Sequence, residues 1–212
     1  MKIENCVALV TGANRGIGEQ FARELVERGA SRVYAGARDA GAVSVPGVEA
    51  VALDITDPAS VAAAASLARD VTLLVNNAGV ARAQNLVVGD LGKIRDEVET
   101  NLFGTLSMIR AFAPILGRNG GGAVVNVLSA ASWFTYPGSG SYAVSKAAAW
   151  SMTTGVRMEL AHQGTQVVGA HVGWSTPTCP PHSTSRSSIR PSSCGSRSTA
   201  WRRARSRSWP MT

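Results

Sequence analysis

The sequence predicts an α/β protein, a doubly wound parallel sheet in three αβα layers. Three observations carry this. Short apolar runs alternate with helical patterns at the spacing of βα units. A glycine-rich turn, Thr11-Gly12-Ala13-Asn14-Arg15-Gly16-Ile17-Gly18, follows the first apolar run directly. The polar, chemistry-bearing residues fall where the apolar runs end, which is where such sheets bind ligands.

Val7–Val10 is the first buried strand, and an amphipathic helix follows, closed by Gly29 at its C′ position. Glycines let the backbone approach a diphosphate, and the free N–H groups of the first helical turn point at it. Gly12, Asn14, Arg15, Gly16, Ile17 and Gly18 are therefore candidate cofactor ligands. Ser31–Gly36 is the second strand, ending in Ala37-Arg38-Asp39. In a Rossmann-like fold this end faces the adenosine ribose, where an acid bonds a 2′-hydroxyl and an arginine accepts a 2′-phosphate. Arg38 and Arg15 favour NADP(H), and Asp39 argues for NAD, the alternative.

Residues 39–47 are short and rich in small side chains, so a crossover helix there is abbreviated or absent. Val48–Ile55 is a third strand ending in Leu53-Asp54-Ile55. Asp57-Pro58 reads as an N-cap with proline at the first helical position, opening a helix to about Ala68. Val71–Val75 is a fourth strand, followed by Asn76-Asn77-Ala78-Gly79. Lys93–Leu116 reads as one long helix with Asn101 near its middle. The fifth strand leads to Ser129, Tyr142 to about Ala161 is the next helix, and Gln166–Val172 is the sixth strand.

Ser129 stands thirteen residues before Tyr142, and Lys146 lies one helical turn beyond the tyrosine. A strand-end hydroxyl, a phenol and an ammonium suit proton transfer to or from a carbonyl or alcohol.

Composition excludes other classes. The net charge is +7, but residues 1–174 hold 14 basic and 14 acidic side chains, whereas 175–212 hold seven arginines and no acid. The basicity belongs to the tail, and no nucleic-acid partner is expected. No apolar run is long enough to span a membrane. The N-terminus runs into a strand without a secretory segment, and Cys6, Cys179 and Cys194 form neither a disulfide framework nor a zinc site. The expectation is a reduced, cytoplasmic protein without a metal.

Taken together, Thr11-Gly12-x-x-x-Gly16-x-Gly18, Asp54, Asn76-Asn77-Ala78-Gly79, Asn101, Ser129 and Tyr142-x-x-x-Lys146 resemble the short-chain dehydrogenase/reductase family across residues 5–173. The resemblance implies a carbonyl/alcohol oxidoreductase acting on a small molecule. It makes Tyr142 the general acid/base, with Lys146 favouring the phenolate and bonding the nicotinamide ribose. It has Ser129 hold the substrate oxygen and Asn101 anchor a proton-relaying water. It places Asp54 and Ile55 at the adenine, and Asn76, Ala78 and Gly79 along the cofactor. It also implies a homodimer or homotetramer, with Ala147, Met152, Val156 and Met158 as a compatible pairing face. Trp133, Phe134 and Tyr136 either line an apolar pocket for a bulky carbonyl or simply pack.

The pattern stops after Gly173-Trp174. Residues 175–212 contain eleven serines, seven arginines and five prolines and cannot bury a core. A one-base shift, with codons chosen freely, turns Ser175–Cys179 into Val-Asp-Thr-Asp-Leu, as the family would continue. The same shift turns 189–212 into a helix and a strand. The tail thus reads as a frameshifted, disordered segment. The sheet is then expected to lack the family's last strand, leave its sixth strand as an edge, and lose the substrate-covering elements, impairing catalysis.

Overall fold

The computed structural model describes residues 2–173. The expected tail, 175–212, lies outside the described residues, as does the expectation of a frameshift there. Six strands form one parallel sheet in the order β3-β2-β1-β4-β5-β6. They are β1 (Val7–Thr11), β2 (Arg32–Ala37), β3 (Glu49–Ala52), β4 (Leu73–Asn76), β5 (Ala123–Ser129) and β6 (Gln166–Val172). The order reverses at β1, so β1 and β4 diverge to form the crevice. Among the described residues β6 is an edge, with Val168 half exposed.

The helices are α1 (Gly16–Glu27), α2 (Pro58–Leu67), α3 (Leu91–Val98), α4 (Thr105–Arg118) and α5 (Gly140–Glu159). Asp57 caps α2 by accepting the Ala59 N–H, with Pro58 at the first position. Between β2 and β3 only a 3₁₀ turn forms, Ala40–Ala42, capped by Asp39 through the Gly41 N–H.

Three expectations are corrected. The third strand stops at Ala52, because Asp54 turns the chain by accepting the Thr56 N–H and hydroxyl at 2.9 and 2.7 Å. The long helix begins at Leu91, where Asp90 caps it, and is interrupted by a π turn over Glu99–Gly104. This turn carries Asn101 and Gly104 inward; a side chain at Gly104 would meet Ile55 at 2.8 Å. The proposed pairing face of α5 is largely internal: Val156 is buried in the core and Met152 packs against it. Met158 alone of that set is strongly exposed.

Two apolar clusters flank the sheet. One joins Leu9, Leu74 and Val124 to Met108, Phe112 and Leu116 of α4; the other joins Val10, Val33 and Val75 to Ala22 and Leu25 of α1. Near-continuous apolar strands follow from this burial on both faces. Phe112 is fully buried, so Phe112→Ala should cost about 3–5 kcal/mol through lost contacts and a cavity. Urea unfolding measures it; a loss under about 1 kcal/mol would place Phe112 outside the core.

Candidate active site

The turn after β1 is held open by its glycines. Gly12 and Gly16 adopt φ of +65° and +59°. A side chain at Gly18 would run into the Gly12 carbonyl and the Asn77 amide, so Gly18 serves helix–loop packing. Arg15, the N-cap of α1, makes no side-chain cap bond, leaving the first-turn N–H groups for a ligand. A cleft of about 540 Å³ opens there. Of the residues expected at a cofactor, Gly12, Asn14, Arg15, Gly16, Ile17, Arg38, Asp54, Ile55, Ala78 and Gly79 line it. Free helix N–H groups beside two guanidiniums are a donor set that fits a dinucleotide with an extra phosphate. Asp39 also borders the cleft, but its carboxylate is engaged in its own turn, with Oδ1 accepting the Gly41 N–H at 2.9 Å.

Asn76 lies beneath the cleft. It is buried and donates to Asn126 Oδ1 at 2.9 Å, and Asn126 in turn donates to Thr153. The neighbouring Asn77 takes the place at the cleft. Its side chain donates to the Thr11 and Gly12 carbonyls at 2.9 and 3.1 Å, tying the end of β4 to the glycine turn. The Thr11 hydroxyl accepts the N–H groups of Asn77 and Ala78. The repeated asparagine was the available signal, since a strand-end amide can cross-link two loops.

The second half of the site lies on β5, the π turn and α5. The Ser129 hydroxyl lies beside the Tyr142 phenol and favours its ionised form, and it also accepts the Ala131 N–H at 3.2 Å. Lys146 is buried and donates from Nζ to the Val127 carbonyl at 2.9 Å, with Nζ 5.9 Å from the Tyr142 ring centroid. A side chain at Gly79 would come within 2.9 Å of Asn101 Oδ1 and 3.7 Å of Lys146 Nζ; glycine keeps this junction open. The Asn101 amide uses both its hydrogens and one lone pair of its oxygen. It accepts the Val80 N–H at 2.8 Å and donates to the Val80 carbonyl and Ser145 Oγ at 2.9 and 3.0 Å. It acts as a clamp on the loop after β4.

Burial pushes the Tyr142 phenol above its ordinary value; the Ser129 hydroxyl opposes this, and the nearby Tyr136 and Glu97 add to it. Without a cofactor, the expected lysine-favoured phenolate is therefore outweighed by desolvation, and the phenol is held as a proton donor. Trp133 stacks on His171 at 4.1 Å between ring centroids, with Trp150 edge-on to both, so Trp133 packs. Phe134 is half exposed.

Burial also lowers the Lys146 ammonium from 10.5 to about 8, partly offset by Glu97. Between those values the unfolded chain binds the extra proton, so this group makes stability rise with pH across that window. Lys146→Met should remove that rise when urea unfolding is compared at about pH 7.5 and about pH 9.5. An unchanged pH slope would contradict the buried ammonium.

The short chain dehydrogenase family model matches residues 6–180. The 3-oxoacyl-[acyl-carrier-protein] reductase FabG of Vibrio harveyi is 32 % identical over 176 residues, spanning 79 % of this chain and 72 % of that protein. Among solved structures, a short chain dehydrogenase from Burkholderia cenocepacia in complex with NADP is 48 % identical. It has a TM-score of 0.79 and covers 82 % of this chain and 74 % of its own. A gluconate 5-dehydrogenase from the same species, with NADP and tartrate, is 27 % identical at a TM-score of 0.77, covering 82 % and 72 %. With the glycine turn and the reversed parallel sheet, and with the family match over residues 6–180, the chain belongs to the short-chain dehydrogenase/reductase family of oxidoreductases.

Proposed function

We propose that this protein is an NADP(H)-dependent oxidoreductase that interconverts a carbonyl and an alcohol, with Tyr142 as general acid/base. The observation that carries the reading is the Tyr142 phenol beside the Ser129 hydroxyl, with Nζ of the buried Lys146 5.9 Å from its ring centroid. Arg15 and Arg38 at the far end of the cleft, and the NADP held by the Burkholderia cenocepacia relative, support the cofactor. The bound nicotinamide supplies the hydride. Gly12, Asn14, Arg15, Gly16 and Ile17 would hold the phosphates, with Gly18 holding the turn to its helix. Arg38 would pair with the 2′-phosphate, Asp54 and Ile55 would border the adenine, and Ala78 and Gly79 would line the path above Asn76.

The residues then divide the proton chemistry. Ser129 donates to the substrate oxygen and keeps Tyr142 aligned with it. Tyr142 gives its proton to that oxygen in reduction and takes one in oxidation. Lys146 places a positive charge beside the phenol, and Asn101 fixes the loop that carries Gly79 against both. The domain responsible is residues 1–174. Half-exposed Phe103 and Trp150 favour a homo-oligomer.

A second reading rests on the composition of residues 175–212, which hold eleven serines, seven arginines, five prolines and no acid. On this reading the segment after Trp174 is a frameshifted tail, and the protein binds cofactor with impaired turnover. The gene's bases around codons 170–180 test it: a clean frame removes the reading.

Tyr142→Phe should lower kcat for carbonyl reduction about 100-fold or more while leaving NADPH affinity within a few fold. Equal activity in that variant would exclude Tyr142 as the acid. Arg38→Ala should weaken NADPH about 10-fold more than NADH in fluorescence titrations, the loss of one charge-assisted contact. Equal weakening of both would remove the 2′-phosphate assignment.

A further inference from the structure

The proton-transfer group has a buried neighbour to which the resemblance assigns no role. Glu97, on the last turn of α3, is fully inaccessible to solvent. Its Oε1 accepts the Arg82 N–H at 2.6 Å and the Ala83 N–H at 3.5 Å. These successive N–H groups converge because Ala83 adopts φ +51°, a left-handed conformation that costs a non-glycine residue about 1 kcal/mol or more. Its Oε2 is also buried and has no hydrogen-bond partner among the described residues. A carboxyl group is thus gripped on one oxygen by strained backbone while the other is left bare, an arrangement costly for stability alone.

Hydrogen bonds place Glu97 beside α5: the loop it grips at Arg82 and Ala83 continues to Gln84, whose N–H donates to Ser141 next to Tyr142, and Asn101, one turn beyond Glu97, donates to Ser145 next to Lys146. From α5 the titratable groups it acts on are Lys146 and Tyr142. Tyr136, on the segment before α5, acts on Tyr142 as well. From the loop, Arg82 offers only its backbone, since its guanidinium is turned to Asp96 at 2.6 Å.

We propose that Glu97 is a positioning residue whose buried negative charge keeps Tyr142 and Lys146 loaded with their protons, biasing the site toward proton donation and carbonyl reduction. The proposal rests on the Tyr142–Lys146 reading above. The signs agree: a carboxylate at this place raises both the phenol and the ammonium. It counters the burial that strips Lys146, and it adds to the burial that holds the Tyr142 proton. At about 0 % exposure the charge is poorly screened, unlike that of the half-exposed Asp96 beside it.

The test reads the tyrosine itself, so it does not depend on turnover. The chain has three tyrosines. With [13Cζ]tyrosine, Tyr142→Phe identifies the Tyr142 resonance, and a pH titration follows it in wild type, Glu97→Gln and Asp96→Asn. The expected result is a midpoint lowered by about half a pH unit or more in Glu97→Gln, with a smaller change in Asp96→Asn. Coincident Glu97→Gln and wild-type midpoints overturn the proposal even if the chain reduces carbonyls. If Glu97→Gln does not fold, the 13Cδ shift of Glu97 in the wild type decides. A carboxylate signal near neutral pH supports the proposal, and a protonated carboxyl there overturns it. In an active preparation, the high-pH fall of reduction should move to lower pH in Glu97→Gln, which a merely structural loss would not produce.

Discussion

The loop after β4 is the constraint on which the site depends. Its backbone is held at successive points by side chains from other elements. The Thr11 hydroxyl and Asn77 amide fasten its start to the glycine turn. Asn101 binds both backbone groups of Val80. Glu97 takes the N–H groups of Arg82 and Ala83, and Ser141 exchanges hydrogen bonds with Gln84. One short strap thus joins the half of the site built on β1 and α1, where the cleft opens, to the half built on α3, the π turn and α5, which carries Tyr142 and Lys146. A backbone that leaves the sheet needs partners for its polar groups, and here nearly every partner is a buried side chain.

This explains why polar residues are buried in such number around the site. Asn76, Asn126 and Thr153 form a ladder under the sheet end, while Ser141, Ser145 and Lys146 are buried on α5 and Asn101 of the π turn donates to Ser145. Each is costly to bury alone and tolerable when paired. Lys146 shows the balance: it keeps a carbonyl partner, yet burial still pulls its ammonium down to about 8. The phenol beside it is pushed the opposite way. Both shifts follow from the same low-dielectric setting, and each disfavours the charged form.

The sequence by itself determined the architecture, because strand burial on both faces leaves continuous apolar runs such as Val7–Val10 and Val71–Val75, and because glycine spacing reports backbone approach. It also determined the Ser129–Tyr142–Lys146 group, since helical periodicity and a strand end are local properties. Tertiary structure alone decided the rest. That Asn76 is buried while Asn77 grips the glycine turn depends on which side each faces once β4 pairs with β1 and β5. The π turn at Asn101 arises within a segment whose periodicity reads as uninterrupted helix, and its fit depends on Ile55 and Val80 from elsewhere in the chain. Glu97 looks like one more charge on an exposed helix until α5 and a strained loop close over it. Its surroundings come from residues 14 to 49 positions away, and no local pattern records them.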